Sequence, residues 1–504
     1  MVLRAKWPKF EPEIGLIGLF GFFSRQLPMS SMISDVDRVS WNVGRDNMCA
    51  VSVFDWQIYR HLFSTPRMEE IFGERNTLCQ MIEAEKAAAR AQGKLGIVPS
   101  AAAAEIDNCL SFSKLNLDQL RGDTLDVGRP IAGLVAQLAA QVPDPHKAWV
   151  HYGVTTYDIM DTGKVLQVRD GLDEILAAMA RYSTLLQGLS KEHRDTVMIG
   201  RTNNHHALPT TFGARLAVWI EELMRHRDRL EAAKERAMVV GFAGAVGTLA
   251  SMGDDGLRFR QAVAAELGLG HTLASWHNAR DTVTEISLCL GNLCGSLARN
   301  AQNINAMGAS EVREISERGD PGRGRSTSLP QKRNPRAAEF AETVARLGRQ
   351  RAMGMVEFMG QEGDRCGGTW IGEWLLVPET FLLTSGALHW ACDLMERLDI
   401  HPENMRANVD VTMGMAVGER FTLALAQRMS KFDARRLLDA ACTRVYEEGI
   451  TLADALAADP EVRKVLSRAD IDRLSDPAGY VGSAPQIVDD VLAMAAERDT
   501  GLHR

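Results

Sequence analysis

Paired cysteines are missing from this sequence. The 504-residue chain carries eight cysteines, and no two of them form a CxxC pair. So sparse a set excludes a disulfide scaffold or a zinc ribbon. It predicts free thiols in a reducing compartment, the cytoplasm. Surplus positive charge is missing too. With 57 Lys and Arg against 65 Asp and Glu, the formal net charge is −8. No global field attracts nucleic acid or an anionic membrane. Long apolar runs are also missing. The run Ile14–Phe23 is too short to span a bilayer, which takes roughly 20 residues. Glu11 and Glu13 stand where a secretory leader would be basic, and no small-x-small cleavage site follows. Residues 1–31 are expected to form a loosely docked extension, with Met29 or Met32 as alternative starts. A secretory leader is the other reading.

Proline is absent between Pro209 and Pro321, where alanine, leucine, glutamate and arginine abound. Leu216, Trp219, Ile220, Leu223 and Met224 follow the spacing of one helix face. The pattern predicts a helix over residues 210–239, then further long helices over 282–316, 336–359 and 377–398. Such helices bury apolar stripes in a bundle. Glycines and aromatics interrupt any heptad register, which argues against a coiled-coil rod. Strand signals are weak throughout. The fold class is therefore all-α, in three helical regions with a central long-helix bundle. Residues 32–145 form the N-terminal domain, 146–397 the bundle and 398–504 the C-terminal domain.

Three patches break the helical pattern. In the first, His151-Tyr-Gly-Val-Thr-Thr-Tyr-Asp158, a helix starts near Asp158. Thr155 and Thr156 precede it, where hydroxyls and free N–H groups can hold an anion. A plain capping segment accounts for the spacing as well. The second patch is Gly200-Arg201-Thr202-Asn203-Asn204-His205-His206. Adjacent histidines on a helix point about 100° apart, so a metal is not expected here. The third, Gly322-Arg-Gly324-Arg325-Ser326-Thr327-Ser328-Leu329-Pro330-Gln331-Lys332-Arg333-Asn334-Pro335, pairs a mobile glycine half with hydroxyls and cations. It lacks the order of a P-loop. Gly241-Phe-Ala-Gly-Ala-Val-Gly247 follows no strand and suits close helix packing better than nucleotide binding.

Together the three patches resemble the three signature regions of the fumarase/aspartase superfamily. Ser326–Pro335 is similar to its GSSxMPxKxNP loop. Ser64–Phe72, Gly96–Pro99, Trp276-His277 with Arg280-Asp281, and Asp476–Tyr480 resemble the branch of carboxymuconate cycloisomerase and adenylosuccinate lyase. The resemblance covers nearly everything from residue 60 to 495. It implies an enzyme without a cofactor that removes a proton beside a carboxylate and expels a group from the next carbon. It implies a homotetramer whose active sites draw on three subunits. Ser326 matches the catalytic base, and Lys332 and Asn334 match the groups that hold the doubly charged carboxylate. Thr155, Thr156 and Thr202 match carboxylate anchors, with Arg201, Asn203, His206 and Gln331 beside the substrate.

Two positions depart from the pattern. Arg325 replaces a glycine before the serine, and is expected to face solvent. Asn203 replaces the histidine tied to general-acid work, and an asparagine cannot donate a proton in that way. General acid catalysis is worth about 3–5 kcal/mol, most for amine or hydroxide leaving groups. A carboxylate, with a pKa of about 4, leaves without help, and so does nitrite. The first expectation is thus a cycloisomerase of the carboxymuconate type acting on a small polycarboxylate. The alternative is a fumarate-releasing lyase that expels nitrite or an amine. His151 is the better candidate for a displaced acid, ahead of His206. A catalytically dead homologue is disfavoured by the retained Ser326, Lys332 and Asn334.

Overall fold

The computed structural model describes residues 52–320 and 322–499. The extension expected at residues 1–31 lies outside them. Five helices open the described chain: α1 (Pro66–Phe72), α2 (Glu74–Leu95), α3 (Ser100–Cys109), α4 (Leu117–Val127) and α5 (Ile131–Gln141). Local chemistry sets their ends. Asn116 accepts a hydrogen bond from the Gln119 N–H to cap α4, and Gly128 ends it at a φ of 79°. An apolar cluster joins this layer through Leu78, Ile82, Ile106, Leu134 and Leu138.

The long elements follow: α6 (Thr156–Glu192), α7 (Phe212–Ala237), α8 (Gly256–Leu267), α9 (Asp281–Met307), α10 (Arg336–Gly354) and α11 (Gly367–Glu396). All but α8 form the central bundle, in which α10 packs on α9 and α11, and α6 on α7 and α11. Their shared core includes Leu172, Tyr182, Leu216, Ile220, Leu290, Leu297, Val344 and Phe381. α6 alone has 37 residues, about 55 Å at 1.5 Å per residue.

The strands that went unpredicted are short. β1 (Val197–Thr202) and β2 (His205–Thr211) make an antiparallel hairpin, and β3 (Ile315–Glu317) pairs with β4 (Leu398–Ile400). The helix expected over 282–316 therefore stops at Met307, short of β3. The helix expected over 336–359 stops at Gly354, with a 3-10 turn over Glu357–Met359.

The remaining helices are α12 (Pro402–Asp410), α13 (Gly418–Leu425), α14 (Lys431–Glu448), α15 (Leu452–Ala458), α16 (Pro460–Arg463), α17 (Arg468–Ser475) and α18 (Ala484–Asp499). Thr451 caps α15 as expected. Asp433 lies in the first turn of α14, whose cap is Ser430, and Asp472 lies inside α17, whose cap is Ser467. α13–α17 share a separate core around Phe421, Leu438 and Leu456. α18 turns back onto α7, placing Val488, Val491 and Ala495 in the bundle core.

Candidate active site

The N-terminus of α6 is held from three sides. Asp158 Oδ2 accepts the Thr155 N–H at 2.9 Å. Its Oδ1 accepts the N–H groups of Ala243 and Gly244 at 2.9 and 3.0 Å. The glycine-rich segment 241–247 thus wraps the first turn of the helix. A Cβ on Gly241 would stand 3.1 Å from that of Asp161, so only glycine fits comfortably. Burial pushes the Asp158 carboxyl up, against the pull of these N–H donors and of His277.

Beneath lies a charge cluster in which Arg280, Asp161 and Glu373 are fully buried. Arg280 donates to Asp161 at 2.8 and 3.0 Å and to Glu373 at 2.7 and 2.5 Å. Lys164 reaches Glu373 at 2.8 Å, and the Trp370 indole donates to Asp161 at 3.0 Å. Burial alone would raise the Asp161 carboxyl; Arg280 and Lys164 more than reverse this and hold it at about 2. Such geometry keeps four charges satisfied where an unpaired one would be very costly.

His151 sits just before this end in the left-handed region, at a φ of 57°. Its Nδ1 donates to Glu85 Oε1 at 2.6 Å, and the Glu85 side chain is 2% exposed. Burial alone would lower the imidazole pKa, but the Glu85 bond and charge leave it raised. Glu85 was not singled out in the sequence, because 66 residues separate the pair and no local pattern joins them.

The second patch is the β1–β2 hairpin. Thr202 faces His205 in register, leaving Asn203 and Asn204 as a two-residue turn. Their φ values of 51° and 64° are those of a type I′ turn, which favours asparagine at such positions. His205 and His206 lie on a strand, not a helix, and so point to opposite faces. Burial and the Arg201 charge lower the His206 pKa. Arg201 grips the buried Glu314 at 3.0 and 2.6 Å.

The third patch is a loop before α10. Glu317 accepts the N–H groups of Ala337 and Ala338 at 3.0 and 2.9 Å, closing its base. An isolated bridge joins Arg325 to Arg333, leaving Ser326–Lys332 as the tip. Asn334 donates its N–H and Nδ2 to the Gly324 carbonyl at 2.8 and 3.0 Å. Gly324 has a φ of 64°, and a Cβ there would meet the Asn334 carbonyl oxygen at 2.5 Å. Ser326 Oγ accepts the Leu329 N–H at 3.1 Å. Arg325, Gln331 and Lys332 are exposed. Among the described residues Lys332 makes no ion pair.

These residues form two groups at opposite ends of the bundle. His151, Thr155 and Thr156 lie at the start of α6. The hairpin with Arg201, Thr202, Asn203 and His206 follows its other end. The loop with Ser326, Gln331, Lys332 and Asn334 shares that second end. It is tied there by Arg201 to Glu314, and by Arg323 to Asp393 near the end of α11. Within one chain the two groups lie toward opposite ends of α6, a helix of 37 residues. Among the described residues no cluster of His, Cys, Asp or Glu is arranged to hold a metal ion. Among the described residues no helix is long and apolar enough to cross a membrane.

Comparison with known proteins shows the family. Residues 61–349 match the family described as Lyase, and residues 414–491 match the adenylosuccinate lyase C-terminus. The chain is 36% identical over 450 residues to the 3-carboxy-cis,cis-muconate cycloisomerase of Acinetobacter baylyi, covering 87% of this chain and 98% of that one. It is 37% identical to the nitrosuccinate lyase of Streptomyces davaonensis, covering 82% and 89% of the two chains. The crystal structure of a fumarate lyase from Mesorhizobium sp. BNC1 superposes with a TM-score of 0.80 at 38% identity, covering 86% and 98%. The chain therefore belongs to the lyase family of the fumarase/aspartase superfamily.

Proposed function

We propose that the chain is a lyase or cycloisomerase of the 3-carboxy-cis,cis-muconate type, acting on a small polycarboxylate in the cytoplasm without a cofactor. Ser326, reacting as its alkoxide, takes the proton from the carbon beside a carboxylate and becomes the hydroxyl. The electron pair forms the alkene, and the bond to the leaving carboxylate oxygen on the next carbon breaks. Lys332 and Asn334 hold the charge that builds on the first carboxylate. Thr155, Thr156 and Thr202 anchor the others. Arg201 and His206 brace the hairpin that presents Thr202, and Gln331 lines the loop tip. The loop closes over its glycine-rich half and excludes water. His151, whose pKa Glu85 raises, is the proton donor in this reading.

The observation that carries this reading is Asn203. It holds a turn apex with a side chain that cannot protonate a leaving group, so a leaving group stable as an anion is favoured. Nitrite satisfies the same condition, and the resemblance to a nitrosuccinate lyase favours that elimination as the second reading.

Because the two groups of residues lie at opposite ends of α6, a working site needs neighbouring chains packed in opposite senses. This supports a homotetramer with shared sites. Division into residues 32–145, 146–397 and 398–504 goes with the proposal. The test is a panel of carboxymuconolactone, nitrosuccinate, adenylosuccinate and argininosuccinate, followed by ultraviolet absorbance of the alkene. Product only from adenylosuccinate or argininosuccinate would sink the argument from Asn203. Ser326→Ala should abolish turnover while leaving the assembly intact, and unchanged activity would remove Ser326 from the mechanism.

A further inference from the structure

The tip of the β1–β2 hairpin has little ladder of its own. Its register breaks between Ile199 and Arg201, where Gly200 alone faces two residues of β2. A Cβ on Gly200 would stand 2.8 Å from the Leu208 carbonyl oxygen, so the break takes glycine. Beyond it only Arg201 with His206 and Thr202 with His205 are paired. Thr202, Asn203, Asn204 and His205 are all exposed. The tip therefore needs an outside support, and Arg201 reaches one.

That support is Glu314, a fully buried carboxylate. Its backbone is fixed, since its N–H donates to the Met307 carbonyl at 3.0 Å and its carbonyl accepts the His401 N–H at 2.9 Å. Its two oxygens accept the Arg201 fork at 2.6 and 3.0 Å, the strong bidentate arrangement. Oε1 accepts a further bond, from Asn408 Nδ2 at 2.9 Å. The same Nδ2 donates to the Val312 carbonyl at 2.9 Å, so both amide hydrogens are spent on the segment before β3. Asn408 lies in α12, which packs along β1, where Val409 shares a small core with Ile199. Glu314 has a second cation within reach of its charge. This is Arg215, in the first turn of α7, whose pKa burial and Arg201 lower against the pull of Glu314. Among the described residues Arg215 makes no ion pair.

We propose that Asn408 is a positioning residue. By keeping the Glu314 carboxylate on Arg201 instead of Arg215, it sets the hairpin tip and so presents Thr202 to the substrate. The inference rests on the reading above for placing Thr202 in the substrate site. Outer bonds of this kind decide how well a binding group is held.

The test is a double-mutant cycle of Asn408→Ala and Thr202→Ala in the full-length protein, read by calorimetric binding of succinate and by trypsin cleavage after Arg201. Asn408→Ala should weaken succinate by about tenfold. In the Thr202→Ala background it should add less than about twofold, because its effect passes through Thr202. A merely structural asparagine would weaken both backgrounds equally. Where Thr202→Ala itself weakens succinate, equal losses in the two backgrounds, or no loss in either, overturn the proposal. Trypsin should cut after Arg201 at least about tenfold faster in Asn408→Ala, since a released guanidinium lets the tip open. Cleavage at the wild-type rate overturns the proposal too. Asn408→Asp keeps the shape, loses both donors and sets a carboxylate beside Glu314, so it should act in the same direction. It decides both measurements if Asn408→Ala does not fold. The two readings fail separately: if Thr202→Ala binds succinate as the wild type does, Thr202 leaves the substrate site, and cleavage after Arg201 alone decides the clamp.

Discussion

His151 and Glu85 meet at 2.6 Å, nitrogen to oxygen, across 66 residues of sequence. One comes from the irregular segment before α6, the other from the buried face of α2. The carboxylate orients the ring through Nδ1, which leaves Nε2 as the only nitrogen able to work on a substrate.

This pair has a pH signature. Because Glu85 raises the His151 pKa, the imidazolium persists to higher pH than in a free histidine. Glu85→Gln removes the opposing charge, so the alkaline limb of the kcat profile should move to lower pH. The stability sign follows from linkage. A folded pKa above the unfolded value of about 6.5 gives stabilisation that is complete below that value. It is lost as pH rises through the raised one. Chemical denaturation of the wild type against His151→Asn should show the larger gap near pH 5 and a smaller one at pH 9. An equal gap at both would remove the ionic pairing.

Arg280 should be the least replaceable side chain in the bundle. Arg280→Met leaves Asp161 and Glu373 buried with too little positive charge. The expected loss is about 3–5 kcal/mol, read as a fall in Tm. Adding Glu373→Gln to that variant should recover part of the loss, because one stranded charge disappears. If the single variant melts with the wild type, the cluster is not a stabilising element.

Asn203 answers to both turn geometry and chemistry. Asn203→Gly should fold as well as the wild type, since glycine accepts a φ near 51°. Asn203→Ala should lose about 1 kcal/mol, measured by denaturant midpoint. Asn203→His restores an imidazole at the apex. It should increase turnover of an amine-releasing substrate relative to a lactone. No change in that ratio would mean the apex does not meet the leaving group.

Gly324→Ala sets a methyl against the Asn334 carbonyl oxygen and forces a positive φ on alanine. Turnover should fall by about 10²-fold or more, because loop misplacement costs that much, with a smaller effect on Tm because the strain stays within the loop. A large drop in Tm with normal kcat would reverse the assignment of Gly324 to loop closure.

How far the sequence could be read differs by element. The helix expected over residues 210–239 is α7, Phe212–Ala237, since its apolar stripe is continuous. α11 begins at Gly367, ten residues before the expected Val377, because paired glycines and Pro378 hide its first turns. α9 was overrun because residues past Met307 carry no proline, although Gly308 ends the helix. β1 escaped because it has only six residues, with an irregularity in register between Ile199 and Arg201. The three patches were legible as motifs. Glu85 was not, because it gains its meaning only from His151, 66 residues away in sequence.

The length of α6 has one last consequence. On the proposed reading, a chain whose Ser326 and His151 lie toward opposite ends of α6 completes a site only with its neighbours. Chains spoiled at one end and chains spoiled at the other should therefore rescue each other. Ser326→Ala and His151→Asn proteins, each inactive alone, should regain part of the wild-type rate once unfolded together and reassembled as hybrids.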